Sequence, residues 1–179
     1  MGVSVQHRFS RSRRALAVGL LALLVPAGCV HAAVPEPAQS RTTPPPWDAP
    51  RDAISYIQAA GLEPLPLDLT ENQSVLTLHL RVDGTAVQIP AFVGVDRVRA
   101  VQAAVHTHDS SGQVWLEGKG TSSVTLGHFF TLWGVRLDDR CVGNACGAVR
   151  VWVDGAPVRG DPRAVPLAGR KVIEVSAES

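Results

Sequence analysis

The sequence predicts a small α+β domain whose sheet is mainly antiparallel, in a β-grasp-like or open-barrel arrangement. Three observations carry this. Short runs alternate apolar and polar residues, the signature of half-buried strands. Two of those runs end in Asp-Gly, the strongest short-range hairpin signal, at Asp83-Gly84 and Asp154-Gly155. Against these strands stands a helical pattern in which Leu126, Phe129, Phe130 and Trp133 recur at i, i+3, i+4 and i+7. With 179 residues, 45% of them hydrophobic, the chain suffices for one packed core.

The amino terminus reads as an address. Arg8, Arg11, Arg13 and Arg14 precede an apolar run at 15–25, ALAVGLLALLV, which is too short to span a bilayer of ~20 apolar residues. Pro26-Ala27-Gly28-Cys29 follows, so residues 1–28 are expected to be a lipoprotein-type signal peptide with Cys29 as the lipidated residue. Pro26 departs from the aliphatic residue usual there, and cleavage after Ala32 is the alternative, giving a secreted product. Ser12-Arg13-Arg14 also resembles a twin-arginine signal, with a plain basic leader as the other reading. Residues 29–50 are rich in Pro, Ala, Ser and Thr and are expected to be a disordered tether, leaving 51–179 as the single domain.

Within the domain, Asp52 is placed to cap a short helix over 53–60 that Gly61 terminates. Residues 75–82 form a strand with Leu76, Leu78, Leu80 and Val82 on one face and Thr77, His79 and Arg81 on the other. Residues 86–89 are its return across Asp83-Gly84. Residues 92–95 are a short apolar piece, and 98–105 are a strand that runs directly into His106. Asp109-Ser110-Ser111-Gly112 turns the chain into a strand over 114–117, with Trp115 and Glu117 sharing one face. Thr125 or Ser123 caps the aromatic helix, Gly134 ends it, and His128 falls about 200° round from Leu126, off the packed face. Residues 149–153 and 156–158 form the second Asp-Gly hairpin, and 171–175 close the sheet. The two hairpins share a pattern, Leu78-x-Leu80-x-Val82-Asp83-Gly84 against Val149-x-Val151-x-Val153-Asp154-Gly155. It reads either as a duplication or as two independent turns.

Three cysteines divide into Cys29 and the pair Cys141 and Cys146. In an exported domain the pair is expected to form a structural disulfide, with metal ligation as the sharper alternative. A redox-active dithiol fits less well because the C-x-x-C spacing is absent.

The densest chemistry lies at His106-Thr107-His108-Asp109. If the strand continues past His106, the two imidazoles leave the same face and converge on one ion at ~2.0–2.2 Å. His79, from the polar face of its strand, is the expected third ligand, with Glu117 or Asp109 as a fourth ligand or supporting group. Imidazole donors with an open position suit copper or zinc.

At these residues the chain resembles a family of uncharacterised bacterial secreted or lipid-anchored proteins with the signature HTHD-x-[ST]-G, a strand ending in Glu, then TLGxFFxxWG. Here the signature reads HTHDSSG, VWLEG and TLGHFFTLWG. The resemblance extends upstream to His79, Asp83-Gly84 and Pro90, and downstream to the second hairpin and Asp161-Pro162, covering about residues 75–175. It implies an exported domain and carries no known activity. Family members often have Gln where His128 stands, which leaves His128 outside the site.

Composition narrows the function further. Without the four leader arginines the chain has 13 basic and 16 acidic residues, a balance of −3, with no electrostatic reason to bind nucleic acid. G-x-S-x-G, H-E-x-x-H and phosphate-loop motifs do not occur. The leading expectation is therefore a membrane-tethered extracytoplasmic domain with a metal site and no activity assigned, more in keeping with a binding protein than an enzyme. An interaction module for an envelope protein partner, without metal, is the alternative. An enzyme using His106 or His108 with Asp109 ranks third, because triad geometry is built from separate elements.

Overall fold

A computed structural model describes residues 1–3, 34–69 and 71–179 of the chain. The export signal, Cys29 and the first residues of the expected tether lie outside the described residues. Residues 34–179 form one compact unit. Its elements are α1 (Ala53–Ala59), β1 (Leu65–Pro66), β2 (Ser74–Val82), β3 (Thr85–Val87), β4 (Val95–Asp96), β5 (Val101–Gln102), β6 (Val105–His106), β7 (Gln113–Leu116), α2 (Leu126–Trp133), β8 (Cys141–Val142), β9 (Ala145–Cys146), β10 (Ala148–Val153), β11 (Ala156–Val158) and β12 (Val172–Glu178). The α+β class and the mainly antiparallel sheet agree with the sequence.

The main sheet runs β11-β10-β12-β2-β7-β6, with β3 also paired to β2. It stays open. Only the β12–β2 pair is parallel. On β2, Leu76, Leu78, Leu80 and Val82 are buried while His79 and Arg81 are exposed, so the alternation reads as the sequence predicts. Helix α2 buries Leu126, Phe129, Phe130 and Trp133 together. Each such side chain contributes on the order of 1.5–3 kcal/mol when buried. Thr125 caps α2, and the ring of His128 accepts the Thr125 backbone N–H to complete a capping box.

The two Asp-Gly hairpins have matching backbones. Asp83 and Gly84 have φ of 49° and 76°, and Asp154 and Gly155 have 51° and 82°, the left-handed pairs that tight hairpins require. They sit at opposite ends of β12, which lies between β2 and β10. Asp83 accepts hydrogen bonds from the backbone and hydroxyl of Ser179 at 2.8 and 2.9 Å. Asp154 accepts from the backbone N–H groups of Lys171 and Val172, both at 2.9 Å. Each aspartate therefore both makes its turn and pins one end of the closing strand. Cys141 and Cys146 face each other across the β8–β9 hairpin and form a disulfide.

Three local expectations need correction. Residues 34–50 are not a free tether. Trp47 is 2% exposed, its indole donates to the Thr43 carbonyl at 3.0 Å, and its ring meets Trp133 edge-on at 5.7 Å. The Arg41 guanidinium donates to the carbonyls of Trp133 and Gly134, a cation set against the carbonyl end of α2. One aromatic and one arginine thus bind a segment whose average composition reads as disordered.

The strand expected over 98–105 is broken. Ala100 has φ of 52°, and β5 pairs with β1 and β4 in a small separate sheet, leaving only Val105 and His106 in the main one. Finally, Asp52 stands before α1 without capping it by its side chain, which pairs with Arg99 at 3.4 Å. The buried carboxylate of Asp96 accepts the Ile54 N–H instead, at 3.2 Å. Burial opposes its ionisation, but N–H donors from Arg99 and Ile54 and the Arg99 guanidinium outweigh this and hold it below the ordinary carboxylate value.

Candidate metal centre

The β6–β7 pair builds the site. His106 lies opposite Trp115, and Val105 opposite Leu116. The pairing continues one step beyond the strands, where the Glu117 N–H donates to the Ala104 carbonyl at 3.0 Å. Val105 and Leu116 go into the core, so the alternating period sends His106, Trp115 and Glu117 to the other face. His108 follows two residues on, in the loop before β7. Its ring meets the His106 ring edge-on at 4.8 Å and the Trp115 ring at 5.2 Å.

His106, His108 and Glu117 consequently present one ligand atom each within 4.8 Å of one another. Nε2 of His106 is 3.3 Å from Nε2 of His108 and 3.4 Å from Oε2 of Glu117. Nε2 of His108 is 3.9 Å from Oε1 of Glu117. Ligands at 2.0–2.1 Å from a tetrahedral ion are separated by roughly 3.4 Å, so the first two distances are those of tetrahedral edges.

The surroundings set the protonation. Nδ1 of His106 lies 2.9 Å from the Ala103 carbonyl and donates to it, which leaves the lone pair on Nε2. Burial pushes the His106 imidazole below its ordinary value; the Ala103 bond and the charge of Glu117 oppose that shift, and His108 adds to it. Glu117 is 4% exposed. Its oxygens accept from two amides, Gln73 at 2.9 Å and Gln102 at 3.2 Å. Among the described residues, the only basic side chains within ion-pair distance of this carboxylate are His106 and His108. The result is a buried carboxylate and a buried neutral imidazole aimed at one point, with no Lys or Arg of the described residues to balance them. The three ligand atoms are close enough together to hold one metal ion.

Of the five residues proposed from sequence as ligands, the structure brings together His106, His108 and Glu117. It does not bring His79 or Asp109. By register, His79 belongs to the same sheet face as His106, since Val75 pairs with Trp115 and Trp115 with His106. It lies four residues further along β2 and two strands across, roughly 13 Å in one direction and roughly 10 Å in the other. There it sits beside Glu174 and Trp152 at an exposed hollow. The Asp109 carboxylate accepts the Ser111 N–H at 2.9 Å and closes its own turn. Hydrogen bonds from Ser111 hold it below the ordinary carboxylate value.

Sequence reasoning missed the two glutamines. Gln102 is 1% exposed within the apolar run Val101-Gln102-Ala103-Ala104-Val105, and a lone amide in such a run signals a buried polar partner. Gln73 carries no comparable signal. No family model, curated protein or solved structure matches the chain.

Proposed function

We propose that this chain is an exported domain that binds one zinc or copper ion through His106, His108 and Glu117, without catalysing a reaction itself. The observation that carries the reading is the convergence of two imidazole Nε2 atoms and a buried carboxylate at 3.3 and 3.4 Å, with no Lys or Arg among the described residues in ion-pair reach of that carboxylate. Imidazole and carboxylate donors suit a borderline divalent ion, and three protein ligands leave a position open. Supporting groups fix two of the three: Ala103 orients His106, and Gln73 and Gln102 orient Glu117. The stretch by which the chain resembles a secreted or lipid-anchored family contains all three ligands, which is in keeping with the chain belonging to it. Placement at the outer face of the membrane through a lipid on Cys29, or release as a secreted protein, rests on the leader at 1–28. The Cys141–Cys146 disulfide supports an oxidising compartment.

Metal analysis of protein purified without a histidine tag tests this. The expected result is one zinc or copper ion per chain, lost in the His106→Ala, His108→Ala double variant. Stoichiometric metal that survives the double change would sink the proposal.

A second reading, an interaction module for an envelope protein without metal, is favoured by a different corner. Phe92 is 37% exposed with φ of 65°, a backbone state unfavourable for a bulky residue. Arg97 stacks 4.4 Å from its ring centroid, and Val98 beside it is 82% exposed. Copurification of a partner protein that is lost on Phe92→Ala would support it.

A further inference from the structure

The three ligands are held very unequally. Side-chain exposure is 0% for His106 and 5% for Glu117, against 49% for His108. His106 is fixed through Nδ1 by Ala103, and Glu117 through both oxygens by two amides. Among the described residues His108 makes a single hydrogen bond, the one between its Nε2 and Nε2 of His106. It stands on a loop rather than a strand, with its ring set edge-on between those of His106 and Trp115. An ion at this point has two anchored ligands on its inner side and one loosely held ligand on its solvent side.

Resting on the metal reading above, we infer that the site is built for exchange, with the ion entering and leaving by ligand substitution at His108. An incoming nitrogen donor of the imidazole type binds the ion from the solvent side while His106 and Glu117 keep hold. One metal–nitrogen bond forms to that donor, and the bond to His108 breaks. The imidazole departs neutral, and the oxidation state of the ion does not change. The buried pair then releases the ion to the acceptor, or receives one by the reverse sequence. Such a site suits a carrier that passes its ion to a second donor-bearing molecule, and it does not suit a structural ion, which four closed ligands would hold.

Zinc release from the loaded full chain to the coloured nitrogen chelator pyridylazoresorcinol tests this, by stopped flow over a range of chelator concentrations. Associative exchange predicts a release rate that rises with chelator concentration and rises further when free imidazole is added. The surface change His108→Ala should keep zinc bound, with affinity reduced by at least the roughly 10–100-fold seen when a supporting partner is removed, and with faster release. His106→Ala should abolish binding. Bound zinc that leaves at a rate independent of chelator and imidazole overturns the exchange inference and leaves the metal reading standing. His108→Ala protein that binds and releases zinc like the parent also overturns it. A chain that binds no zinc or copper overturns both.

Discussion

His79 and His106 project from one face of one sheet, and their surroundings differ in every respect that decides function. His79 is exposed on the long central strand β2, next to Glu174 on the neighbouring strand. His106 is at the very edge of the sheet, fully buried, with one ring nitrogen committed to a backbone carbonyl and the other facing a carboxylate. A lone exposed histidine offers an ion one ligand, and ordering that side chain costs entropy. A buried one with a free lone pair beside an unbalanced carboxylate is already organised for one. Residue type and face were equal here, and position along the strand made the difference.

The comparison can be broken most forcefully at His106. His106→Ala is expected to abolish zinc or copper binding, and to lower stability of the metal-free protein by about 1–3 kcal/mol by orphaning the Ala103 carbonyl. Calorimetric titration and chemical denaturation measure the two effects. Removing one support rather than a ligand sharpens it. Gln102→Leu frees one oxygen of Glu117 and should weaken metal affinity about 10–100-fold, with both imidazoles still in place.

A smaller effect concerns pH. Burial depresses His106 below its ordinary 6.5, so as pH falls through that value the unfolded chain takes up a proton that the folded chain refuses. Stability of the metal-free protein should be level above pH 6.5 and decline below it. His106→Gln should flatten that decline, leaving a remainder from His128, which burial and then the charge of Arg163 also depress. Denaturation midpoints from pH 7.5 down to about 5 would show this. The smallest effect belongs to His79→Ala, which should leave metal content unchanged and stability within about 0.5 kcal/mol. A loss of metal there would erase the contrast between the two histidines.

Much of this frame was legible in the residues. Period-2 alternation placed β2 correctly, Asp-Gly placed both hairpins, and the aromatic spacing placed α2 from Leu126 to Trp133. The pairing of Trp115 and Glu117 on one face also follows from alternation alone. Local pattern stops at the strand, however, and register between strands depends on contacts distant in sequence. That is why His79 could be given its face and not its distance from His106. The same limit hid Asp96 capping α1 in place of Asp52, across 42 residues, and Trp47 docking on Trp133, across 86. Composition averages over a window, so one tryptophan and one arginine in a proline-rich stretch carried too little weight to mark 34–50 as packed.

The claim that matters most is the identity of the three ligands. X-ray absorption at the zinc edge of the loaded, untagged protein reads it directly. The account predicts two imidazoles and one carboxylate oxygen at about 2.0–2.2 Å, with a light fourth ligand from solvent. A first shell with sulfur, with three or more imidazoles, or with fewer than two would contradict it.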